Sequence, residues 1–227
     1  MIAAVSAPAH DLAVVIPHED ARLPAHLDLP ARPTGLVFTL TSRGHDAAGE
    51  GDVNPRLVRT LGQQRIGTLV LDLLDEDTDG AGRIADVAAR LRWAIDWAET
   101  ALAHERVPFG IHATGQSAAI ALTAAAGDPR IRAIVLRSGR VDLAGRAVER
   151  VSAPTLLIVG GDDPALHGLS RAAFARLRGP KKLAIVPGAS HLFTESGPMT
   201  AAMRLTLDWY GDHLKLRPER AAPERWW

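Results

Sequence analysis

Strand-length apolar runs and helix-length segments alternate along most of this chain, and that alternation leaves few folds open. Gly35–Thr41 (G-L-V-F-T-L-T) and Gly67–Leu74 (G-T-L-V-L-D-L-L) are continuous apolar runs, as expected of strands buried on both faces. Pro55–Gln64, between them, carries its apolar residues at helical spacing. The longest helical stretch is Arg83–His104, where Ile84, Val87, Leu91, Ile95, Ala98 and Leu102 recur three or four apart. Further strands are predicted over Val107–Ala113, Ala133–Arg137, Thr155–Val159 and Lys182–Val186. Helices are predicted over Gln116–Ala126, Leu143–Arg150, Ala165–Leu177 and Pro198–Leu214. Strand and helix in turn, joined by short loops, imply an α/β fold with a mostly parallel central sheet and helices on both faces. Leu12–Ile16 and His26–Leu29 flank a charged turn and predict an antiparallel hairpin at the sheet edge.

The chain has 227 residues, enough for one domain with a large core. We assign residues 1–214 to that domain and 215–227 to a Pro- and charge-rich tail. No stretch is long enough to form a large inserted cap. Lys+Arg and Asp+Glu both number 26, so the formal net charge is zero. That balance argues against nucleic-acid and membrane partners, which need a basic surface. Without Cys, disulfides, thiolate nucleophiles and Cys-ligated zinc are excluded. The first residues lack the basic and apolar regions of a signal peptide, and no apolar run approaches the ~20 residues of a spanning helix. The expectation is a cytoplasmic protein. The tail, closing in Trp226-Trp227, has two readings, a loosely ordered segment or one that docks on a neighbouring subunit of a homo-oligomer.

In open α/β sheets, ligands bind beyond the carboxyl ends of the strands. The polar residues at those ends are Thr41, Ser42, Arg43 and His45; Asp72 and Asp75; Thr114, Gly115, Gln116 and Ser117; Arg137, Ser138 and Arg140; Asp162 and Asp163; and Ser190 and His191. A nucleophile region, then an acid, then a His is the chain order of an α/β-hydrolase triad. Four segments carry a closer likeness: L-D-L-L at 71–74, S-G-R-V-D-L-A-G at 138–145, A-P-T-L-L-I-V-G-G-D-D at 153–163 and I-V-P-G-A-S-H-L-F at 185–193. Through them the chain from about Leu12 to Leu214 resembles the dienelactone-hydrolase-like branch of the α/β-hydrolase superfamily. The resemblance implies hydrolysis of small-molecule esters or lactones through a Ser nucleophile, with no metal or organic cofactor. It also implies Asp163 as the acid and His191 as the base. Asp163 would hold the imidazole tautomer and stabilise the imidazolium; Asp162 is its neighbouring competitor. Either Asp could instead cap the helix that follows.

The nucleophile position departs from the pattern. Counted without gaps, the family Ser falls on Gly115, and the G-x-S-x-G elbow reads A-T-G-Q-S, Ala113 to Ser117. Glycine tolerates the positive φ of such a turn, but it has no nucleophile. The other frame reads G-Q-S-A-A, Gly115 to Ala119, with Ser117 as nucleophile; the gapless frame is preferred. The oxyanion loop is changed as well: L-T-S-R-G-H, Leu40 to His45, stands where the family places a His-Gly pair. Thr41, Ser42 and Arg43 remain candidate donors there, and Gln116 N–H is the donor after the elbow.

His112 lies on the central strand, where a hydrogen-bonded core His and a second acid–base group are the competing readings. Arg137 is a candidate for a substrate carboxylate. No H-x-E or H-E-x-x-H spacing suggests a metal. Three functions follow: a serine esterase using Ser117; an enzyme that works through the Asp163–His191 dyad alone, by direct hydrolysis or by elimination, cyclisation or isomerisation; and a binding protein without catalysis.

Overall fold

The computed structural model describes residues 10–18, 21–41, 55–73 and 81–215. Thr41 and Asp72 are described by backbone alone. The other predictions at 42–54, at Asp75 and in the tail beyond 215 lie outside the described residues, and with them Ser42 and Arg43.

Eight strands form one sheet in the order β1-β2-β4-β3-β5-β6-β7-β8. They are β1 (His10–His18), β2 (Ala21–Leu29), β3 (Gly35–Thr41), β4 (Ile66–Asp72), β5 (Phe109–Thr114), β6 (Ile131–Arg137), β7 (Thr155–Gly160) and β8 (Lys181–Val186). The β1–β2 hairpin is antiparallel and joins β4 antiparallel, whereas β3 to β8 run parallel. The hairpin strands are longer than their apolar stretches, because pairing continues from His10↔Leu29 to His18↔Ala21. Strands β5 and β7 are buried at every position, as expected of central strands covered on both faces, and β5 buries His112 and Thr114 with its apolar residues.

The helices are α1 (Pro55–Gln63), α2 (Ala81–Ala101), α3 (Ser117–Ala125), α4 (Pro164–Arg176) and α5 (Ser196–His213). The predicted helix at 143–150 is a 3₁₀ segment, Val141–Arg150, interrupted at Gly145 with φ 54°. Two apolar layers sandwich the sheet. One joins Phe38, Leu71 and Ile111 to α2, α3 and α4 through Leu91, Ile95, Leu122 and Ala173. The other joins Val37, Val135 and Ile158 to α1 and α5 through Leu57, Leu61, Ala202 and Tyr210. The Tyr210 hydroxyl donates to the Ile111 carbonyl across 3.0 Å, tying α5 to the central strand. Trp97 packs against the first layer, consistent with a packing role for that face of α2.

This order fixes the site. Strands β5, β6, β7 and β8 are consecutive neighbours, so the turns after them stand side by side at one edge. Gly115 follows β5, Ser138 follows β6, Asp163 follows β7, and His191 lies in the loop after β8.

Candidate active site

Asp163 and His191 meet. His191 Nδ1 lies 2.6 Å from Asp163 Oδ2. A carboxylate only accepts, so Nδ1 is the donor in this contact. The carboxyl is buried at 10% side-chain exposure, while the imidazole is 51% exposed. A buried acid behind a half-exposed base is the arrangement a triad uses to orient its His. Asp163 also caps α4: Oδ1 accepts the Leu166 N–H at 3.2 Å, with Pro164 in the first turn. The helix-capping and His-holding roles thus belong to different oxygens of one residue. Asp162 is exposed, and its N–H donates to the Ala189 carbonyl at 3.0 Å.

The glycine pair before the acid lets the two loops touch. A Cβ on Gly160 would stand 2.4 Å from Ala189 O and 2.6 Å from Ser190 O. The base loop is closed further on by Glu195, whose carboxylate accepts the Ser190 N–H at 3.1 Å. Backbone N–H groups of Glu195 itself and of Ser190 hold the Glu195 carboxyl below its ordinary range.

At the elbow, Gly115 has φ +50°, the left-handed region that favours glycine. A Cβ built on Gly115 meets nothing within 4 Å, so the side-chain position is open. Gln116 is helical and exposed. Ser117 begins α3 and is 1% exposed, and its Oγ finds no hydrogen-bond partner among the described residues. Gly115 is thus the positive-φ residue between β5 and α3, and Ser117 is buried in the first turn of α3.

His112 points to the α5 side. It lines a small cavity with Leu57, Arg137, Met199, Ala202, Met203 and Thr206. Burial, and secondarily the Arg137 charge, lower its pKa to about 3. Its Nδ1 has no partner among the described residues. Arg137 donates to the Leu192 carbonyl at 3.2 Å and lies over the Phe193 ring at 5.4 Å.

Sequence reasoning left two residues of this neighbourhood without a role. Ser138 Oγ donates to the His191 carbonyl at 2.6 Å, and Glu195 pins Ser190. The first was marked only by its place at a strand end and in the S-G-R run at 138–140; nothing in the sequence marked the second. Among the described residues no three His, Asp or Glu side chains are grouped to hold a metal ion. No helix among them is long and apolar enough to cross a membrane.

Strand order, a glycine elbow on the central strand and an acid–His pair after β7 and β8 define an α/β-hydrolase scaffold. Comparison with known proteins narrows this. A dienelactone hydrolase from Anabaena variabilis is 33% identical, with a TM-score of 0.81 over 91% of this chain and 99% of that one. The esterase Est1E from Butyrivibrio proteoclasticus has a TM-score of 0.70 at 16% identity, over 88% of this chain and 99% of its own, a likeness of fold. A Mycobacterium tuberculosis protein named as a candidate phosphoribosyl transferase is 36% identical over 218 residues, 93% of this chain. The chain spans about half the length of that relative, 48%. No family model matches. The chain belongs to the dienelactone-hydrolase-like branch of the α/β-hydrolase superfamily.

Proposed function

We propose that this protein hydrolyses small-molecule esters or lactones through the Asp163–His191 dyad acting on water, without an acyl-enzyme. One observation carries the reading: the apex of the elbow is Gly115, at φ +50° with open space where a side chain would be, while the dyad beside it is formed at 2.6 Å. Retention of the acid and base without the nucleophile favours chemistry that needs only proton transfer. The dienelactone hydrolase and esterase relatives support the substrate class.

In this mechanism His191 Nε2 takes a proton from water as the oxygen attacks the carbonyl carbon. The tetrahedral oxyanion forms near the start of α3, where the Gln116 N–H is the donor after the elbow. The imidazolium then gives its proton to the departing alkoxide, and Asp163 holds the ring throughout. A positioned general base contributes typically ~10²–10⁴-fold. The buried Ser117 hydroxyl takes no part. The phosphoribosyl transferase name belongs to a polypeptide about twice as long, and we assign no such activity to this chain.

The test is turnover of p-nitrophenyl butyrate and of a simple lactone by the wild type, His191→Ala and Ser117→Ala. Loss in His191→Ala with activity retained in Ser117→Ala is expected. Loss in a folded Ser117→Ala, or turnover indifferent to His191, would refute the reading.

A further inference from the structure

The turn after β6, Ser138-Gly139-Arg140, touches each of the elements that build the site. The Ser138 N–H donates to the Ile158 carbonyl at 2.9 Å, near the end of the acid strand. The Ser138 hydroxyl donates to the His191 carbonyl at 2.6 Å. The Arg140 N–H donates to the Gly115 carbonyl at 2.8 Å. Gly139 packs on the helix after the elbow so closely that a Cβ would stand 2.5 Å from the Ala118 Cβ. Acid, base and elbow thus meet in three residues whose role the reaction above does not use.

We propose that Ser138 is a positioning residue, which locks the His191 loop to the elbow and keeps the imidazole aligned on Asp163. The inference rests on the dyad reading given above. Ser138 is buried with φ +49°, a conformation glycine or asparagine adopts with less strain. Such strain persists where the surroundings over-determine it and the residue is used. Here the hydroxyl is used, because glycine would leave the His191 carbonyl without this donor. The adjoining contact is of the same kind: Arg137 donates to the Leu192 carbonyl at 3.2 Å and covers Phe193, itself buried at φ +57°. The carbonyls of His191 and Leu192 are therefore both held by the end of β6. Asp163 restrains the ring; β6 restrains the backbone that carries it.

Ser138→Gly separates this role from folding, because glycine relieves the backbone strain while it removes the hydroxyl. The ring ¹⁵N shifts of His191 report which nitrogen holds the proton, with or without a substrate. In the wild type the proton is expected on Nδ1. In Ser138→Gly, with the melting temperature near that of the wild type, the population is expected to move toward Nε2–H. The kcat on p-nitrophenyl butyrate is expected to fall roughly 10- to 100-fold, the order a misplaced catalytic group costs, with KM little changed. Ser138→Ala should show the same tautomer shift together with a lower melting temperature. An unchanged tautomer in Ser138→Gly overturns the proposal. So does a shift in Ser138→Ala alone, which would assign the effect to strain, and so does a wild-type proton on Nε2. A tautomer shift in a protein that turns over no ester upholds the positioning role and removes the hydrolase reading instead.

Discussion

The acid–base side of the site and the elbow side have been treated differently. After β7 and β8 both backbone and side chains suit proton transfer: Gly160 admits the base loop, Asp163 caps α4, and the same carboxyl holds His191 at 2.6 Å. After β5 the chain turns through positive φ at Gly115, which carries no side chain, and the hydroxyls of Thr114 and Ser117 on either side are buried. The difference shows that the elbow geometry does not depend on the nucleophile. It is set by the strand–helix junction and by the Arg140 N–H on the Gly115 carbonyl. On the reading proposed above, a scaffold can give up covalent chemistry at one residue and keep its base a strand or two away.

The largest expected effect falls on the acid–base side. His191→Ala should lower ester turnover by about 10³-fold, within the range that general base catalysis contributes, as kcat/KM at pH 7.5 would show. Gly160→Ala attacks the same side through the backbone. Its Cβ would stand 2.4 Å from Ala189 O, so we expect a loss of roughly 1–3 kcal/mol in denaturant unfolding and an opened base loop.

His112 gives a smaller, pH-dependent effect. Its folded pKa of about 3 lies below the ordinary 6.5. Between those values the unfolded chain binds a proton that the folded chain refuses, so stability falls as pH drops from about 6.5 toward 3. From pH 7 to 4.5 this should cost the wild type about 2–3 kcal/mol more than His112→Leu loses, measured by urea unfolding at the two pH values. Equal losses would show that the histidine is protonated in the fold. The smallest effect belongs to Ser117→Ala, which removes a buried, unpartnered hydroxyl. Stability should stay within about 1 kcal/mol or rise, with turnover changed less than threefold by an initial-rate comparison.

The fold was legible in the sequence because most of the inner strands are largely apolar runs and α2 keeps its spacing from Ile84 to Leu102. The hairpin is longer than its apolar signature, since Pro17, Arg22 and Pro24, outside the predicted strands, also pair in register. The segment 143–150 reads as helix by composition, yet Gly145 at φ 54° divides it into 3₁₀ turns. At the site, Asp163 and His191 were visible because each sits in a recognisable run, and Gly115 because the count from Pro108 to Leu122 needs no gap. Ser138 was not, because its hydroxyl bonds a carbonyl 53 residues away, a contact that exists only once β6 and the loop after β8 lie side by side. The environment of His112 was equally hidden: burial and Arg137 come from the packing of α5 and from the adjoining strand.

The central claim is that the elbow holds no nucleophile although the rest of the machinery is in place. Intact-mass analysis after incubation with a fluorophosphonate, on the wild type and on Gly115→Ser, tests it most directly. The account predicts an unmodified wild type and a Gly115→Ser protein carrying one adduct on the new serine, since the φ +50° turn and the open space beyond it suit that side chain. An adduct on Ser117 of the wild type would contradict it.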